Sequence, residues 1–265
     1  EIAQCLVGSE MCIRDRCIYE YVGTNMNKEK LLYENSKHAL QSDNIIAITN
    51  RHLCSRPFME QLERVCKLHP HAIVLREKDM PEAEYLSLAR DVIALCKKYD
   101  VQCMLHSFIN VAMELEHPYI HLPLPILEAY IKKNMSGNIS TGMSKSTDNY
   151  QQFFKVIGTS VHSVEDAIKA EQLGATYMTA GHIFATDCKK GLPPRGLDFL
   201  KNVCDAVGIP VYAIGGINIA SSGDSTASDA PAAYDAMPDI SVPRLSDVME
   251  CGAAGGCIMS GMMRV

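Results

Sequence analysis

Several things are missing from this sequence, and each absence removes a class of answer. No apolar run approaches the length of about 20 residues that a membrane-spanning helix requires. There is no excess of basic residues: Lys and Arg number 25 against 31 Asp and Glu, a net charge of −6. That balance gives no support for nucleic acid or an anionic membrane as a partner. The eleven cysteines include no C-x-x-C pair and no Cys/His cluster at zinc spacing. Cys66, Cys96, Cys103 and Cys204 fall in apolar segments instead, which predicts buried free thiols in a reducing cytoplasm. No G-x-G-x-x-G follows the first strand-like run, so a dinucleotide-binding open sheet, the main rival fold, lacks its phosphate loop.

What is present is an alternation. Eight short β-rich runs occur at Ile45–Thr49, Ala72–Leu75, Gln102–His106, Tyr119–Leu122, Lys155–Thr159, Thr176–Ala180, Pro210–Ile214 and Gly256–Met259. Helical patterns separate them. The clearest are Glu82–Lys98, with Leu86, Ala89, Val92, Ile93 and Cys96 on one side, and Val164–Leu173, opened by Ser163 as N-cap with Asp166 three residues on. Others fall near Phe58–Lys67, Ile109–Leu115, Pro125–Lys133, Leu197–Ala206 and Arg244–Glu250. Strands alternating with helices predict an α/β fold, a TIM (β/α)8 barrel over residues 45–265, because each parallel connection crosses back over the sheet. Val265 arrives soon after the eighth strand, so the predicted barrel lacks its last helix. A version extended by one helix is expected to be more stable, and a homo-oligomer is one way to cover that flank.

Four stretches stand apart from this rhythm. Residues 1–16 have no secretory pattern, contain VGSEMCIRDR, which resembles translated sequencing-adaptor text, and are read as a non-native leader. Residues 17–44 form an N-terminal extension with a helical pattern at Lys28–Lys37. Residues 134–152 and 220–239 are polar, rich in Ser, Gly and Thr, and are expected to be surface loops.

In such a barrel, function sits where strands end and loops begin. The polar residues predicted there are Asn50 and Arg51; Arg76, Glu77 and Lys78; His106 and Ser107; Thr159, Ser160 and His162; His182, Thr186 and Lys189; Asn218; and Ser260. Glycines at the ends of the last two strands, Gly215, Gly216 and Gly256, together with Met259 and Ser260, predict a phosphate cradle of backbone N–H groups. The loop after strand six, Gly181-His-Ile-Phe-Ala-Thr-Asp-Cys-Lys-Lys-Gly191, combines a histidine with cations. It suits an anionic ligand held beside an acid/base group. Each residue has a plainer reading: His182 as a strand cap, Arg76 as partner of Glu77 or Asp79, His106 as a satisfied barrel histidine, Cys188 as an inert thiol.

Five ordered motifs carry a family resemblance. IVLREKD (73–79), IGTSVHSVEDAIKAEQLGATY (157–177), GHIFATDCKKGLPPRGL (181–197), VYAIGGIN (211–218) and GGCIMSG (255–261) resemble the thiamine phosphate synthase/TenI superfamily. The resemblance implies one of two chemistries. Synthases couple a pyrimidine diphosphate to a thiazole phosphate with Mg²⁺ held by aspartates after strands three and four. Here those places read His106-Ser107 and His121-Leu-Pro-Leu, with no carboxylate for a hard cation. The thiazole tautomerase branch carries G-H-V-F-E-T-D-C-K-K-G, which this chain nearly reproduces with Ala185 in place of the glutamate. The resemblance thus implies His182 as the acid/base group in a proton shift that makes a carboxythiazole phosphate aromatic, without a cofactor. Arg76, Lys78, His106, Ser160, Thr186 and Lys189 are then the residues expected to bind a small phosphorylated thiazole. The synthase, with Mg²⁺, and a non-catalytic binder of the same ligand are the alternatives.

Overall fold

A computed structural model describes residues 44–136, 153–186, 189, 191–219, 242 and 244–265. The expectations for residues 1–16, 17–43, 137–152 and 220–239, and for Cys188, lie outside the described residues.

The strands are β1 (Ile45–Ile48), β2 (Ala72–Leu75), β3 (Gln102–His106), β4 (Tyr119–Pro123), β5 (Val156–Val161), β6 (Tyr177–Gly181), β7 (Val211–Ile214) and β8 (Gly255–Ile258). They pair in sequence order, all parallel, and close when β1 meets β8 through Ile46↔Cys257. The helices are α1 (Phe58–Lys67), α2 (Glu82–Lys98), α3 (Ile109–Glu114), α4 (Leu124–Ser136), α5 (Val164–Gln172), α6 (Gly196–Ala206) and α7 (Leu245–Glu250). Helix α5 starts as predicted, since Ser163 Oγ accepts from the Asp166 backbone N–H at 3.0 Å. Past β8 the chain continues through turns, with the Met263 N–H bonded to Met259 O; Met262 and Met263 are buried. On that flank Gln61 of α1 donates to Met262 O at 2.7 Å.

Every strand is flanked by strands and backed by helices, so its side chains divide by parity into two cores. One parity faces the helices: Ile45, Ala47, Ile73, Leu105, Ile120, Leu122, Ile157, Met178 and Ala213 belong to the outer core. The other faces the barrel axis, where Ile46, Ile48, Val74, Met104, Tyr177, Tyr212 and Cys257 pack together. The lumen has one deliberate vacancy at Gly158. A Cβ there would stand 2.1 Å from the Tyr177 ring, so only glycine lets that ring fill the axis.

Burial corrects two sequence readings. Thr159 lies within β5 on the helix-facing side, fully buried, and not at the mouth. Cys204 is only half-buried, whereas Cys66, Cys96 and Cys103 are buried and free. Among the described residues no helix is long and apolar enough to cross a membrane.

Candidate active site

A cavity of about 510 Å³ opens at the carboxyl ends of the strands. Its wall includes Arg76, Lys78, His106, Ser160, His182, Thr186, Lys189, Gly215, Gly216, Met259 and Ser260. Asn50, Arg51, Glu77, Ser107 and Thr159, also expected at the mouth, do not line this wall, whereas all but one of the predicted acid/base, ligand-binding and cradle residues reach it. The exception is Gly256, whose parity turns it outward: a Cβ there would sit 3.1 Å from Ile217 and 3.4 Å from Leu245, away from the cavity.

Arg76 and Lys78 leave the end of β2, and Lys189 arrives from the loop after β6. Between the first two, Glu77 turns the other way and is buried. It accepts from Thr49 Oγ at 2.7 Å and from the Arg51 guanidinium at 3.0 Å, while Asp79 takes the other edge of the same guanidinium at 2.7 and 2.8 Å. Neither acid is left for Arg76, which sets aside the plainer reading of that residue. Its backbone N–H is fixed by Thr49 Oγ at 2.8 Å. Burial, followed by the positive charges of Arg76 and Lys189, pushes the Lys78 ammonium below the ordinary lysine value. Like charges gathered in a part-buried cleft cost free energy unless an anion completes the set.

His182 follows β6 and is held by main-chain bonds on both sides. Ile183 N–H donates to Ile214 O at 2.9 Å, Phe184 N–H to Gly215 O at 3.0 Å, and Arg195 N–H to His182 O at 2.9 Å. The facing residues must be glycine. Gly215 has φ +100° and its Cβ would lie 2.4 Å from the His182 Cβ; Gly216 has φ +72° and its Cβ would lie 2.6 Å from Ala185 O. The imidazole itself is tied only loosely, with Nε2 3.4 Å from Leu192 O. Across the opening, Ser260 Oγ donates to Asn218 at 3.3 Å.

Deeper in the cavity lies a histidine outside the predicted site. His121 is buried, with Nδ1 2.9 Å from the Tyr177 hydroxyl and Nε2 2.9 Å from Ser160 Oγ. It stacks on His106 at a centroid distance of 5.6 Å, and His106 Nδ1 lies 2.8 Å from Ser107 Oγ. Burial, aided by nearby positive charge, pushes His121 down to about 3 and His106 to about 2, so both stay neutral near pH 7. The signal for His121 was its parity with Tyr119 and Pro123 along β4.

Two carboxylates reach the wall, Glu128 and Asp166, and Glu128 is engaged by Lys169 at 2.7 Å. Among the described residues no three His, Cys, Asp or Glu gather as a metal ligand set. The ends of β3 and β4 offer His106, Ser107 and Pro123 instead of carboxylate oxygens. This donor set does not fit an aspartate-held Mg²⁺.

A closed parallel barrel with polar and cationic groups converging at the carboxyl ends of its strands defines a (β/α)8 barrel enzyme. Comparison with known proteins narrows the class. The chain belongs to the thiamine monophosphate synthase family, whose family model matches residues 45–262; it is accordingly an enzyme of thiamine biosynthesis. It is 34% identical over 173 residues to a putative thiamine-phosphate synthase 2 of Aquifex aeolicus, covering 65% of this chain and 84% of that protein. It is 31% identical over 146 residues to a thiamine-phosphate synthase of Clostridium tetani, covering 55% and 63%. Among solved structures, a thiamine phosphate pyrophosphorylase from Pyrococcus furiosus superposes with a TM-score of 0.58 at 24% identity over 84% of this chain and 88% of that one. At that identity the likeness speaks for the fold. These names favour the synthase over the tautomerase.

Proposed function

We propose that the chain binds a phosphorylated thiazole at this mouth and moves a proton on it, as a thiazole tautomerase, with His182 as the acid/base group. One observation carries the reading: an imidazole tied only loosely stands on the wall of a cavity whose three cations make no ion pair with a carboxylate among the described residues. The phosphate would lie against Gly215, Gly216, Met259 and Ser260. Arg76, Lys78 and Lys189 would neutralise the ligand's anionic groups and the charge that builds up on the conjugated system. His182 would take a proton from one ring carbon and return it to another, which needs one group that exchanges protons near neutrality. His106, neutral and buried, would bind rather than transfer.

The second reading is thiamine-phosphate synthase, favoured by the names of the relatives. The coupling reaction depends on carboxylates at β3 and β4, and this chain has none there.

A single assay separates the two. The protein is incubated with the carboxythiazole phosphate tautomer and aromatic-ring absorbance is followed with and without EDTA. Absorbance that grows equally in both, and falls about 100-fold or more in His182→Ala, supports the tautomerase. Diphosphate released from pyrimidine diphosphate and thiazole phosphate, and abolished by EDTA, establishes the synthase instead.

A further inference from the structure

The buried chain of hydroxyls and imidazole beneath the cavity has a direction, which follows from counting protons. Tyr177 is enclosed in the lumen, and among the described residues its hydroxyl has one hydrogen-bond partner, His121 Nδ1 at 2.9 Å. A buried phenol that keeps its proton donates it to the one acceptor within reach, since an unmade buried hydrogen bond is costly. His121 Nδ1 is then an acceptor. A neutral imidazole has one N–H, so it sits on Nε2 and donates to Ser160 Oγ at 2.9 Å. Thr179 Oγ donates to the same oxygen at 3.0 Å. Both lone pairs of Ser160 are thereby occupied, and its own proton is left to point into the cavity that Ser160 lines.

We propose that Tyr177 and His121 are positioning residues that make Ser160 an obligate hydrogen-bond donor, so that the site recognises a ring atom carrying a lone pair. This rests on the reading of the cavity as a thiazole phosphate site and names the feature selected there. Ser160 lies on β5, and Gly215 follows β7, so the donor addresses the heterocycle and leaves the phosphate to the glycines. The thiazole nitrogen is the acceptor that meets it. A ring presenting N–H at that place is rejected, because two donors would face each other.

The test has two independent arms. In the first, ¹⁵N-resolved NMR of the histidine side chains in the wild-type chain reports the His121 tautomer without any ligand. Nε2–H is expected, and Tyr177→Phe, which keeps the ring above Gly158, is expected to shift the population toward a mixture. An Nδ1–H tautomer in the wild type overturns the relay whatever the cavity binds. In the second, affinities are compared for thiazole phosphate and its thiophene counterpart, which lacks the ring nitrogen. The wild type is expected to prefer the thiazole about fivefold to tenfold, as one hydrogen bond gives. Ser160→Ala should erase the preference, and Tyr177→Phe should reduce it while inorganic phosphate binds unchanged. Equal affinity of the wild type for both rings overturns the proposal. Absence of binding by both rings and by inorganic phosphate overturns the reading of the cavity while the NMR arm still decides the relay.

Discussion

Two sets of basic side chains leave neighbouring strands at the same end of this barrel and meet opposite fates. Arg51, after β1, is consumed by Glu77 and Asp79, with the carboxylate of Glu77 only 1% exposed. Arg76 and Lys78, after β2, alternate with those same acids in sequence yet share none of their charge. The difference lies in which way each side chain leaves the backbone. Acids and Arg51 form a brace between the first two strands, and the brace leaves Arg76 and Lys78 at the cavity without an ion pair among the described residues. Charge counted along Arg76-Glu-Lys-Asp79 cancels; charge arranged in space does not.

The largest test of that contrast is acid. Burial, aided by the charges of Arg76 and Lys78, holds His106 and His121 neutral when folded, with values of about 2 and about 3, against about 6.5 when unfolded. The unfolded chain therefore binds more protons below pH 6.5, and stability falls as pH falls from 6.5 toward 3. Together the two imidazoles should remove on the order of 5 kcal/mol by pH 4.5. His117, also lowered by burial, acts in the same direction. Urea midpoints that stay flat from pH 7 to 4.5 would break the comparison.

Next comes the brace itself. Arg51→Met strands the buried Glu77 and should cost about 2 kcal/mol in urea unfolding. That is below the loss of about 3 to 5 for a fully enclosed pair, because Glu77 keeps Thr49 and the Arg51 backbone N–H. Lys78→Met should do the reverse: stability held or raised, and affinity for inorganic phosphate lowered roughly tenfold by calorimetry. A loss of stability without loss of affinity would place Lys78 with the brace. Smallest of all, Asp205→Ala removes the exposed i,i+4 pair with Lys201 on α6 and should leave Tm unchanged.

The strands were legible because each is buried on both faces and so reads as a short apolar run. Predicted and observed ends differ by one or two residues, as at β5, which starts at Val156 and runs on to Val161. The mouth was legible because loops after strands concentrate polar residues, and Arg76, Lys78, Ser160, His182 and Lys189 all reach one cavity. Gly256 misled because it adjoins Gly255 in sequence, whereas one step along a strand reverses the face. His121 was passed over because Ile120 and Leu122 bracket it, and an apolar neighbourhood hides which parity looks inward. Tyr177 gave no sign of its task, since its partner lies 56 positions away.

The tyrosine seated over Gly158 has one more consequence. With Tyr177 and Tyr212 filling the axis edge-to-face at 6.0 Å, the tube is stoppered from below. Traffic is single-ended: whatever enters at the carboxyl ends of the strands must leave by the same doorway, so departure of one molecule and arrival of the next cannot overlap.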